Sequence, residues 1–153
     1  EARYRKAIAL NPEYSDAHNN LGLLLLSRNR PEEAEEQFRL ALRIDPAWVS
    51  ATNHLGVALA SQGKPAQARE QFMNALSLDP DSAITHYNVA NTFRDEGRPA
   101  EAIKYFERAL AIEPNLQNAR LDLAMTLAGV GRVNEANAQL ARLKIIPENK
   151  AGH

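Results

Sequence analysis

Between Asn53 and Pro80 the apolar positions follow a helical period twice, with one interruption. In the first stretch Leu55, Val57, Ala58 and Leu59 carry the apolar face, and Gly56 leaves room for a close neighbour. In the second, Ala68, Phe72, Ala75 and Leu76 fall at i, i+4, i+7 and i+8, the spacing of one face of a helix. Gln62-Gly63-Lys64-Pro65 separates them. Gly63 suits the left-handed residue that ends a helix. Pro65 suits the first turn of the next, where the N–H it lacks would be unpaired anyway. Pro80 stops the second stretch. The pattern predicts a helical hairpin.

The pattern recurs. Pro12, Pro46, Pro80 and Pro114 are spaced 34 residues apart, and Tyr4, Phe38, Phe72 and Phe106 keep the same step, with Leu140 in the next place. Ala34, Ala68, Ala102 and Ala136 step with them, as do Ala7, Ala41, Ala75 and Ala109. The turn position reads Asn29, Gly63, Gly97 and Gly131, all residues that tolerate positive φ. Two places on stand Pro31, Pro65, Pro99 and then Val133. A 34-residue period of Leu-Gly, then Ala, an aromatic and Pro resembles the tetratricopeptide repeat, from Glu1 to about Ile146. The resemblance implies an all-α, right-handed superhelical solenoid of antiparallel hairpins.

On this reading residues 1–14 are the second helix of a truncated repeat. Four repeats follow, over 15–48, 49–82, 83–116 and 117–146, and 147–153 is a polar tail. The expected helices are 1–10, then pairs at 15–28 and 31–44, 49–62 and 65–78, 83–96 and 99–112, and 117–130 and 133–146. Short connections make the partners of each pair antiparallel. The fourth pair departs from the pattern, with Leu140 for the aromatic, Leu143 for a small Ala and Pro147 one residue early. Its outer positions Asn134, Glu135, Asn137, Gln139, Arg142 and Lys144 are polar enough to cap an array, though ordinary repeat drift would look the same. Lacking an initial Met and opening in mid-repeat, the chain reads as a piece of a longer protein. Its open first helix, with Tyr4 on the uncovered seam, is expected to favour self-association.

Composition narrows the function. Lys+Arg 18 against Asp+Glu 19 leaves a net charge of −1, which argues against a nucleic-acid partner. The absence of cysteine excludes thiolate and disulfide chemistry. The longest run of large apolar residues, 23–26, is far too short for a membrane span. The compartment stays open, with a soluble cytoplasmic setting as the default.

In the family that the sequence resembles, first helices line a concave groove. Carried over residue by residue, the candidate peptide-binding set is Asn19, Asn20, Leu23, Asn53, His54, Val57, Tyr87, Asn88, Asn91, Arg94, Asp122 and Met125. Asn20, His54, Asn88 and Asp122 form one column of it. Packed helices lie about 8–10 Å apart and an extended peptide advances about 3.3 Å per residue, so each polar side chain could meet every third peptide residue. Asn offers both donors and an acceptor to a peptide group. The column is similar to the asparagine ladder of protein O-GlcNAc transferase repeat arms, with His54 and Asp122 breaking it.

A clamp for a terminal carboxylate is not expected. Arg94 is the groove's one fixed cation, opposed by Asp16, Asp95 and Asp122. His18 and His86 stand where the repeat often has Trp and are expected to pack between helices. His54 alone faces the groove, and His153 is in the tail. These positions do not converge as a zinc site requires, and no nucleophile–base pair or phosphate loop is present, so neither metal, cofactor nor catalysis is expected. Glu35 with Arg39 reads as a solvated i,i+4 pair. Trp48 is a packing residue between hairpins or, if exposed, a contact. Two functions remain open: a non-catalytic scaffold binding an extended peptide or partner helix, or the substrate-presenting arm of a larger enzyme such as a glycosyltransferase.

Overall fold

The computed structural model describes residues 1–143. Among them it contains nine helices and no strand: α1 (Ala2–Leu10), α2 (Ser15–Ser27), α3 (Pro31–Ile44), α4 (Val49–Ser61), α5 (Pro65–Leu78), α6 (Ala83–Asp95), α7 (Pro99–Ile112), α8 (Gln117–Gly129) and α9 (Val133–Leu140). Each helix packs against the next in sequence, and α4 also touches the equivalent helices α2 and α6 of its neighbours. The result is an all-α solenoid in which contacts are local.

The first helices stop one residue short of the expected ends because of how the turn closes. Asn29, Gly63, Gly97 and Gly131 all adopt positive φ, from 57° to 81°. Their N–H groups bond back to Leu26, Ala60, Arg94 and Ala128, and those of the following residues reach Leu25, Leu59, Phe93 and Leu127. This pair of bonds is the Schellman arrangement, which satisfies the orphan carbonyls and ends the helix two residues before the left-handed one. The second helices α3, α5 and α7 begin on their prolines as expected. Helix α9 ends at Leu140, six residues early. There the chain tightens into i→i−3 bonds from Arg142 to Gln139 and from Leu143 to Leu140. Leu140 is 43% exposed, whereas Phe38, Phe72 and Phe106 at the equivalent places are sealed. Gln139, expected on the polar outer face, turns inward to accept a bond from Arg120. Lys144, Pro147 and the expected tail lie outside the described residues.

The repeated small and aromatic positions make the core. Ala34, Ala68 and Ala102, with Ala41, Ala75 and Ala109, are fully buried beside Phe38, Phe72 and Phe106. Two of these rings lie directly on glycine. A Cβ built on Gly22 would come within 2.6 Å of Phe38, and one on Gly56 within 2.4 Å of Phe72. The third and fourth hairpins place Ala90 and Ala124 there.

His18 and His86 are buried, as expected. Each bonds through Nε2 to the carbonyl of the proline six residues earlier, at 3.1 Å (Pro12) and 2.9 Å (Pro80). Gln37 meets His18 Nδ1 at 2.9 Å, but Tyr105 replaces that glutamine in the third hairpin and His86 Nδ1 is left without a partner among the described residues. Arg120 occupies the same place in the fourth hairpin, bonding to the carbonyl of Pro114 and to Gln139. Trp48 is half-buried at the start of α4.

Helix α1 packs on α2, with Tyr4 and Ile8 half-buried against the core. Glu1 accepts from Arg5 at 2.9 Å, Arg30 at 3.0 Å and Arg28 at 2.5 Å. The Arg5 bond, then Arg30, hold its carboxyl down to about 2.

The ring-on-glycine contact has a measurable signature. Phe72→Ala should cost about 3–5 kcal/mol in chemical denaturation, and Gly56→Ala about 1–3 kcal/mol because Phe72 must move. In the double variant the losses should be clearly less than additive. Additive losses would mean that the two positions do not share the contact.

Candidate ligand-binding face

The first helices of the four hairpins, α2, α4, α6 and α8, turn one side away from their second helices. Asn20, Leu23, Arg94 and Met125 are exposed there, and Asn53, His54, Val57, Tyr87, Asn88, Asn91 and Asp122 are half-buried. Asn19 is buried, with 6% of its surface exposed.

Most polar members of the set are joined in pairs 35 residues apart. His54 Nδ1 meets Asn19 Oδ1 at 2.9 Å, Asn88 Nδ2 donates to Asn53 Oδ1 at 3.2 Å, and the Tyr87 hydroxyl donates to Asp122 Oδ2 at 2.9 Å. Each member of the 34-residue column therefore reaches back to the residue before its counterpart in the preceding repeat. The column expected to face a ligand is in large part a seam between hairpins. Asn20, the first member, has no preceding pair and instead borders a cavity of about 420 Å³ with Tyr4 and Tyr14.

The electrostatics follow the seam. Burial pushes the His54 imidazole below its ordinary value of 6.5, and its ring lies 5.5 Å from that of Phe38. Burial, and next the Asp122 carboxylate, raise the Tyr87 hydroxyl, against an opposing bond from Asn91. Asp122 also binds Arg94 Nη1 at 3.0 Å, and Arg94 Nε lies 3.5 Å from Asp95. The groove's cation is thus already committed. Among the described residues no group of His, Asp and Glu could hold a metal ion, and no helix is long and apolar enough to cross a membrane.

Asn91 stands outside the seam. Its Oδ1 is buried without a hydrogen-bond partner among the described residues. It sits on the wall of a cavity of about 470 Å³ between α4 and α6, with Val57, Ala60, Ser61, Gly63, Pro65, Phe72, Asn88, Thr92 and Asp95. A second cavity of about 470 Å³ lies one repeat on, lined by Arg94, Gly97, Pro99, Met125, Thr126, Gly129 and Val130. The turn residues Gly63, Pro65, Gly97 and Pro99 were not among the candidates. A turn borders the end of the next repeat's first helix, a juxtaposition visible only once two hairpins are stacked.

Three tetratricopeptide-repeat family models match residues 1–47, 49–115 and 93–149. The chain belongs to the tetratricopeptide repeat family, a family of protein-interaction scaffolds. Among solved structures it is similar to YrrB, described as a TPR protein with an unusual peptide-binding site. The identity is 28% and the TM-score 0.75, over 90% of this chain and 71% of that one. It is also similar to PilW, a widely conserved type IV pilus biogenesis factor, at 26% identity and TM-score 0.84, over 92% of this chain and 65% of that one. MamA shares the fold at 21% identity and TM-score 0.82, over 90% of this chain and 81% of that one. A search of curated proteins finds no match.

The seam makes two outcomes checkable. Asn88→Ala should lower stability by about 0.5–1.5 kcal/mol by unpairing Asn53. Unchanged denaturation midpoints would show that the bond contributes nothing. His54 favours the neutral ring more in the folded chain than in the unfolded one. That contribution is complete above about 6.5 and is lost as pH falls through the lower folded value. Stability should therefore decline as pH falls below about 6.5, and His54→Asn should flatten the decline. An identical decline in His54→Asn would assign it to other groups.

Proposed function

We propose that this chain is a non-catalytic protein-interaction module that binds an extended peptide along the groove formed by α2, α4, α6 and α8. The observation that carries the reading is Asn91, which lines a cavity and whose amide oxygen is buried with no hydrogen-bond partner among the described residues. A buried acceptor without a donor is unfavourable by about 1–3 kcal/mol, and the terminal torsion of Asn is soft enough to turn it toward an incoming peptide N–H. Leu23, Ile84, Leu121 and Met125, between 37% and 63% exposed, add apolar surface on the same helices. The likeness to YrrB is consistent with a peptide ligand. Asn19 and Asn53 act in this reading as supports that hold His54 and Asn88, and Asn20, Val57, Tyr87 and Asp122 border the path.

A peptide array, followed by calorimetry on the peptides it selects, tests the proposal. Asn91→Ala should weaken binding by about 1–3 kcal/mol and lower the denaturation midpoint only by what its bond to the Tyr87 hydroxyl contributes, since no bond to Asn91 Oδ1 is lost on mutation. Unchanged affinity in Asn91→Ala would remove the groove from consideration and point to the opposite face.

A further inference from the structure

The two 470 Å³ cavities are the same feature repeated, for Asn91, Thr92 and Asp95 of the first become Met125, Thr126 and Gly129 of the second. Their chemistry is opposite. The first carries acceptors: the exposed Asp95 carboxylate and, buried within its wall, Asn91 Oδ1, which has no hydrogen-bond partner among the described residues. No cation lines it. Lys64, beside its turn, reaches Glu35 at 3.5 Å, and Arg94, the cation nearest Asp95, is bound more closely to Asp122. The second has lost both acceptors. Met125, 63% exposed, and Val130, 42% exposed, line it, and its Arg94 is neutralised by Asp122.

From this pairing, and resting on the peptide-groove reading above, we infer that the partner is an extended segment with a lysine or arginine for the cavity between α4 and α6 and a bulky apolar side chain for the cavity between α6 and α8. The separation of the two side chains follows from geometry. Adjacent packed helices lie about 8–10 Å apart, and an extended chain covers that distance in roughly three residues. A basic side chain brings several donors to the Asp95 carboxylate, which holds Arg94 only at 3.5 Å, and to Asn91 Oδ1 once its amide turns. An acidic one would meet Asp95 with no free cation to offset it. Met125 is an adaptable apolar surface for the second side chain.

Labelled, end-capped peptides in an alanine–serine background, each with one lysine and one leucine at varied separation, test this by fluorescence anisotropy. Binding should peak at a separation of roughly three residues, in one chain direction. Replacing the lysine by norleucine should weaken it about threefold to fivefold, and more at low salt. Replacing the leucine by alanine should weaken it about tenfold or more. Asp95→Lys, at an exposed helix C-terminus where a cation is tolerated, should reverse the preference from lysine to glutamate. Met125→Ser should erase the preference for leucine. Binding without dependence on separation, or an Asp95→Lys variant that still prefers lysine, overturns the inference while leaving the groove reading standing. If no array peptide binds, both fall.

Discussion

Everything in this solenoid depends on how closely the two helices of a hairpin can approach. In the first two hairpins the limit is set by an aromatic ring lying on a glycine, Phe38 on Gly22 and Phe72 on Gly56, with no room for even a methyl group. Each ring is sealed, and the alanines one turn before it and nearly one turn after complete a strip with no other bulk. Because the hairpin is narrow, its first helix can touch the first helices of its neighbours as well as its own partner. The continuous face of the first helices depends on that contact between them.

On that face polarity serves two purposes at once. The bonds from His54 to Asn19, Asn88 to Asn53 and Tyr87 to Asp122 tie each hairpin to the one before, and they use side chains that also border the proposed peptide path. A half-buried amide with one hydrogen bond made still has capacity for a ligand, since Asn can make up to four. In the proposed reading recognition and cohesion share residues, and Asn91 is notable because its Oδ1 takes no part in the bonds between hairpins.

The helices were legible because period, positive-φ turn residues and prolines agree across nearly every repeat, local preference and global stacking pointing the same way. Where the expected helix ends were one residue long, the cause was the Schellman closure, which places a non-helical cap residue, Gln62 in α4, before Gly63 and its equivalents. At α9 the expected helix ran on past Leu140, whose side chain is exposed where Phe38, Phe72 and Phe106 are sealed. The site was harder to read. A 34-residue column shows which positions are equivalent, but a bond between stacked helices joins positions that face each other, and the stagger makes these 35 apart. Asn19 was thus taken for a groove residue when it is buried beneath His54. The cavity walls at Pro65 and Pro99 belong to turns, whose neighbours no single-repeat reasoning supplies.

The 35-residue stagger also bears on how such a chain can be cut and rejoined. A crossover at the loop before α4 leaves each hairpin whole yet separates His54 from Asn19, so a repeat moved as a hairpin cassette arrives with half of a polar pair. Gene duplication or shuffling that preserves the groove must then carry two successive first helices together, or supply a matching Asn on the host side. The heritable unit of this surface is the junction between repeats, and swapping single repeats would scramble the face even where every hairpin still folds.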